Sequence, residues 1–250
     1  MEMSILILAF IISFGTMFFG AISGGVGLVL RPLLIFIGFP AIAVIGSVRV
    51  AAVIGELPGI FLLNKHKKID WKLVLFLVIP MFLGSFIAGV AVLSILKGAL
   101  EKIMGIVLLI VGIILIIHKK AGLEEHNFHI SKIRNVFGFI GTIIISFFNT
   151  ITGGMGPMFS SLYIANYGKT YINASALAKT TSYIGAGLAS IVFIFGKAVD
   201  WQLFVALVLG FALGSRLGVH YGLKKGDRWI KILVLIVVFA SAIKLIFFGG

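Results

Sequence analysis

The sequence contains no cysteine, which excludes disulfides, thiolate metal sites, cysteine nucleophiles and iron–sulfur clusters. Charge is scarce too, at 12% of the 250 residues, about half the share in a soluble domain. Acidic residues are the scarcest charges: 8 stand against 21 lysines and arginines, for a formal net charge of +13. What fills the chain instead is apolar, with 60% hydrophobic residues and a mean hydropathy of +1.20. These figures exclude a soluble globular fold and describe an all-α polytopic membrane protein. In a soluble protein the basic excess would suggest a nucleic-acid partner. Here the cations sit in loops between apolar runs, with no basic stripe interleaved with aromatics, so no nucleic acid is expected. Met1-Glu2-Met3 lacks the basic start of a signal peptide, so the first apolar run is expected to be retained.

Runs of spanning length fall at 3–22, 40–63, 72–95, 102–118, 135–150, 170–196, 201–222 and 229–248, against the ~20 residues a helix needs to cross the bilayer. Helices are expected throughout, because lipid leaves unpaired strand edges unsatisfied and no barrel-like alternation is present. The one long hydrophilic stretch lies near the middle. It divides a first membrane repeat at 1–120 from a second at 135–250, with a basic linker at 121–134 and one integrated membrane domain overall.

The two halves resemble each other. Val44 to Gly55 lies over Ala174 to Gly185, setting Arg49 on Lys179; Asp70-Trp71 lies on Asp200-Trp201, and Gly84-Ser85 on Gly214-Ser215. One residue out of that register, Gly24-Gly25-Val26-Gly27 matches Gly153-Gly154-Met155-Gly156. The loop at 64–68 is basic while its mate at 196–200 is neutral, and the loop at 224–228 is basic while its mate is not. If positive loops face the cytoplasm, the halves have opposite topology, the plan of inverted-repeat transporters. That works only if the glycine- and proline-rich segment ending at Pro157 breaks or re-enters instead of crossing, and the first segment with it. Each half then reads as a broken or re-entrant helix followed by three transmembrane helices, with both termini outside. Eight plain helices with an exception to the charge rule is the alternative.

Two Gly-rich breaks at membrane depth mark an internal site, since bared backbone is tolerated only inside protein or along a cavity. Half-helices starting near Leu28 and Met158 would turn positive ends toward an anion. The candidate substrate-binding set therefore contains Gly24, Gly25, Gly27, Gly153, Gly154 and Gly156, with the polar neighbours Asn149 and Thr152. Arg49 and Lys179 lie deep in their runs, where a cation costs about 2.5–3.5 kcal/mol, and no carboxylate lies within one turn of either on its own helix. They are the main candidate anion ligands, with Arg31 as a third; Ser47, Thr180, Thr181 and Tyr183 are neighbours that either donate to the anion or bond their own helix backbone. A structural ion pair for the cations, and close helix packing for the glycines, are the competing explanations.

Glu56 is the one acid well inside an apolar run and is a coupling candidate, unless it lies beyond the hydrocarbon beside Pro58-Gly59. Asp70 and Asp200 are expected to cap the helices that follow, with Trp71 and Trp201 as interfacial anchors. No metal-ligand spacing, P-loop or nucleophile elbow occurs, so neither metal nor cofactor is expected and the chain is not read as an enzyme.

Two halves that each open on a Gly-rich break, followed by a small-polar helix and then a loop ending Lys67-Lys68-Ile69-Asp70-Trp71, resemble the TauE/SafE sulfite exporter family over nearly the whole chain. Arg31 departs from the usual apolar character there. The resemblance implies secondary transport of a small sulfur oxyanion or organosulfonate, with sulfite and thiosulfate as candidates. The expected partners are that anion and the bilayer of a prokaryotic cell membrane; a proton or sodium coupling ion and a homodimer are compatible with it. A membrane-protein insertase with a buried cationic groove is the alternative from another class.

Overall fold

The computed structural model describes residues 3–21, 24–94 and 132–225. The expected spans at 102–118 and 229–248, the linker up to residue 131 and the basic loop from residue 226 lie outside them. All regular structure among the described residues is helical: α1 Met3–Gly20, α2 Val26–Phe36, α3 Ala41–Gly55, α4 Leu57–Lys65 and α5 Trp71–Ser94, then α6 Lys132–Thr152, α7 Gly156–Tyr167, α8 Tyr171–Ala189, α9 Ile191–Phe195 and α10 Trp201–Lys225. Among the described residues, six stretches are long and apolar enough to cross a membrane: α1, α3 with α4, α5, α6, α8 with α9, and α10.

The order repeats: α1, α2, α3–α4 and α5 correspond to α6, α7, α8–α9 and α10. The repeat reaches the backbone, because among the described residues the two non-glycine positions with positive φ, Lys67 and Lys197, are repeat mates and both have φ 52°. Asp70 Oδ1 accepts from the Leu73 N–H at 3.2 Å and Asp200 Oδ1 from the Leu203 N–H at 3.0 Å, so each carboxylate caps its helix as its position suggested. The helix expected at 135–150 runs Lys132–Thr152, because Lys132, Ile133 and Arg134 continue it at one end and Ile151 and Thr152 at the other.

The breaks fold back. Along α6 and α7, Tyr167 lies against Gly138, Leu162 against Gly141 and Tyr163 against Thr142, while Gly153 and Gly156 stand at the turn. Contacts that descend one helix while climbing the other define an antiparallel hairpin. Left-handed backbone at Gly24, Gly25 and Gly153, with φ 69°, 92° and 74°, makes the two tips, a conformation that L side chains disfavour.

Packing pairs elements across the halves. Gly210, Gly214 and Gly218 form a small-residue ladder on α10 that lets α1 approach, meeting Phe10 and Ser13, then Phe14 and Met17, then Phe18 and Ala21. Correspondingly α6 runs beside α5, with Phe139 on Phe76 and the Ser146 and Ser85 hydroxyls 2.7 Å apart. α3–α4 runs along α10, with Gly55 on Phe211 and Gly59 on Ser215, and α8–α9 runs along α5, with Gly185 on Met81 and Gly196 on Leu93. Between the repeat mates α3 and α8 the order reverses, Val53 meeting Gly187 and Glu56 meeting Lys179.

Candidate functional site

The two hairpin tips touch through backbone. The Gly27 N–H donates to the Gly153 carbonyl at 2.9 Å, and a Cβ built on Gly24 would lie 2.6 Å from Gly156 Cα. These contacts are reciprocal: Gly24 and Gly27 of one tip meet the mates of Gly27 and Gly24 on the other, the pattern of a two-fold axis. Close approach explains these glycines, since any side chain would separate the tips.

Hairpin turns strand the last carbonyls of α1 and α6, which need partners away from water. Cations supply them, each from the opposite half. Arg49 Nη2 donates to the Asn149 carbonyl at 3.0 Å and to Thr150 Oγ1 at 3.1 Å. Lys179 Nζ donates to the Ala21 carbonyl at 3.2 Å, just past the end of α1 and one residue from the place that matches Asn149. Arg31, 1% exposed, donates through Nη1 to the Thr150 carbonyl at 2.7 Å and also to that of Ile151. Positive charge at helix C-terminal ends is favoured by their partial negative charge.

Beside the crossing lies a cavity of about 100 Å³, room for roughly three waters at ~30 Å³ each, or for one small oxyanion. Its wall includes Arg49, Lys179, Glu56, Asn149, Gly24, Gly25, Gly153 and Gly156, together with Phe159, Ser160, Ser175 and Ser182. Arg49 Nε is buried there without a hydrogen-bond partner. Glu56 Oε2 stands 3.3 Å from Lys179 Nζ, so the partner that Lys179 lacks on its own helix comes from the other half.

The remaining sequence candidates fall elsewhere. Arg31 and Thr152 are buried behind the tip, the Thr152 hydroxyl donating to the Phe148 carbonyl at 3.0 Å. Gly27 and Gly154 are buried outside the cavity wall. Ser47 Oγ accepts from the Asp200 N–H at 2.9 Å and so anchors the loop before α10. Tyr183 lines a smaller pocket with Arg49, Glu56 and Ser182. The Thr181 hydroxyl bonds its own helix at Leu177, and Thr180 Oγ1 is buried without a partner. Ser160 and Ser175, whose hydroxyls lie 3.0 Å apart, are wall residues that the sequence reading missed. A signal for one existed, because the offset that lays Gly24 on Gly153 lays Arg31 on Ser160.

The family model for sulfite exporter TauE/SafE matches residues 8–245. Three curated relatives are alike over most of their length. A "Probable membrane transporter protein" of Haemophilus influenzae is 25% identical over 98% of this chain and 96% of its own. A "Probable membrane transporter protein ORF9" of Sinorhizobium is 25% identical over 95% and 90%, and the "Probable membrane transporter protein YfcA" of Escherichia coli K12 is 24% identical over 92% and 85%. No solved structure matches the chain. The reach of the family model along the chain, with six apolar helices and relatives named as transporters, makes this chain a member of the sulfite exporter TauE/SafE family and a multi-pass membrane transporter.

Proposed function

We propose that the chain is a secondary transporter of a small anion, most simply sulfite, thiosulfate or a small organosulfonate, working in the cell membrane without a catalytic step. The observation that carries this reading is the cavity at the crossing of the two tips, walled by Arg49 from one half and Lys179 from the other. Each cation also holds a backbone carbonyl, yet a guanidinium has five N–H donors and an ammonium three, so donors are left for an oxyanion. Size favours the same class. A cavity of about 100 Å³ suits an ion of four or five heavy atoms and offers no path for the polypeptide an insertase would receive.

Alternating access between inverted repeats is the mechanism this arrangement favours. α3–α4 and α5 are joined only by residues 66–70, so two crossing helices there run in opposite senses. α8 runs with α5 and hence against α3, its repeat mate. In support, the tips meet end to end, as hairpins entering from opposite sides would. The reading is tested with purified protein in lipid nanodiscs and sulfite, thiosulfate and methanesulfonate as probes, followed by flux in proteoliposomes. Saturable binding and flux of at least one, lost together in an Arg49→Gln/Lys179→Gln double variant that still folds, is the expected result. Absence of binding by all three would overturn the reading.

A further inference from the structure

Among the described residues, Glu56 is the one carboxylate in the cavity wall. It sits at the joint of α3 and α4, where the helix is interrupted before Pro58, and its repeat mate is Ala186, so two related cations share a single acid. Lys179 divides its ammonium between the Ala21 carbonyl at 3.2 Å and Glu56 Oε2 at 3.3 Å. The carbonyl belongs to the end of α1, whereas the carboxylate is on a side chain that can rotate away. Glu56 is therefore the ligand of Lys179 that an incoming solute can replace.

Charge decides what must accompany that replacement. With Glu56 ionised, the wall carries two cations and one anion, and a monoanion completes the balance. A dianion does not, because it and the carboxylate would compete for one ammonium and repel each other at close range inside the cavity. We propose that Glu56 is the resident counter-anion of the cavity and its proton carrier: a dianionic oxyanion takes Lys179 from it while Glu56 accepts one proton from solvent, so dianion and proton are bound together. The balance is complete: Glu56 goes from −1 to neutral, the ammonium keeps its protons, and the new carboxylic O–H can donate to the substrate or to Ser182. The groups around Glu56 fit this assignment. α8 presents Lys179 and Tyr183, α3 presents Arg49, and α10 touches the Glu56 backbone carbonyl through Ser215 Oγ at 3.4 Å with Arg216 next in sequence and exposed. α4 brings only Lys65 at its far end, and α2 brings Arg31, which is held by the end of α6.

This inference rests on the anion-transport reading and is tested separately from it. Wild-type protein in nanodiscs is titrated with thiosulfate and sulfate as dianions, methanesulfonate as monoanion, and sulfite corrected for its own ionisation. Calorimetry in two buffers of different ionisation enthalpy then counts protons. The expected result is uptake of about one proton with a dianion and none with methanesulfonate, and dianion affinity falling up to about tenfold per pH unit on the alkaline side. Glu56→Gln should abolish the linkage and bind the dianion about tenfold more tightly at mildly alkaline pH, the competitor having gone. Dianion binding without proton uptake, or binding of methanesulfonate alone, overturns this inference and leaves anion transport standing. Failure of all four probes overturns both. Should Glu56→Gln not fold, the wild-type proton count decides by itself.

Discussion

The Gly27 amide and the Gly153 carbonyl join the two halves of the molecule through a 2.9 Å backbone hydrogen bond at the point where both hairpins turn. A contact between main chains has no side chain to adjust, so the first expectations concern space.

A methyl group on Gly27 would fall on the Gly153 carbonyl, and one on Gly24 on the Gly156 backbone. Gly27→Ala should therefore lower stability by about 1–3 kcal/mol, the usual range for overpacking. Gly15, with nothing within 4 Å of a Cβ, is the internal control: Gly15→Ala should be neutral or stabilising by up to ~1 kcal/mol. Thermal unfolding in detergent reads both, and equal tolerance at the two positions would contradict the tip contact.

Arg49→Gln and Lys179→Gln should each weaken anion binding by about 1.5–3 kcal/mol, the loss for a charge-assisted hydrogen bond. Both should also lose stability, because each cation holds a helix-end carbonyl of the opposite half. Arg31→Gln is expected to lose stability alone: it holds the Thr150 and Ile151 carbonyls from outside the cavity wall. Comparing affinity in the folded fraction of the three variants separates ligand from scaffold; reduced affinity in Arg31→Gln would move that residue into the site.

Lys65 and Phe195 are repeat mates, exposed at the ends of α4 and α9. In a chain free of cysteine, Lys65→Cys and Phe195→Cys give single labelling sites. Inverted halves predict that an impermeant thiol reagent reaches residue 65 from the cytoplasmic face and residue 195 from the other. Labelling of both from one face would refute the inverted arrangement.

Asp70 meets Lys169 at 2.9 Å outside the spanning helices, tying the loop before α5 to the loop before α8. Burial pushes its carboxyl up, but the Lys169 ammonium and the Leu73 and Lys72 amides outweigh that and hold it below the ordinary carboxylate value. A depressed folded value means that the stabilisation is present at neutral pH and is lost as pH falls through the acid range below about 4. The pair is partly exposed, so Asp70→Asn, which keeps a capping oxygen, should cost no more than about 1 kcal/mol at neutral pH. The difference should vanish in acid and shrink with salt; a difference that persists in acid would assign the effect to the cap.

Much of this architecture is legible in the sequence because duplication prints twice. Asp70-Trp71 with Asp200-Trp201, and the two glycine clusters, mark helix starts and turns by residue types few other conformations favour. Arg49 and Lys179 are legible as unusual because charge within an apolar run has few explanations. Their partners are not, since Arg49 binds a backbone carbonyl of Asn149, and carbonyls carry no sequence signal. Glu56 illustrates the other limit: it lies two turns from Arg49 on its own helix and pairs with Lys179 on another, a choice made by tertiary packing. Ser160 and Ser175 escape notice because serines near the starts of α7 and α8 look like any small residues in a helix interface.

The exchange of caps between halves has a consequence for how the protein is made. The end of α1 receives its lysine from α8, and 158 residues separate Ala21 from Lys179. At ~5–20 residues per second of synthesis, roughly 8–30 s pass before that lysine leaves the ribosome. Throughout that interval the terminal carbonyl of the first hairpin is without its lysine and bonds water instead. Closure of the crossing therefore waits for α8, although the first hairpin is made long before it.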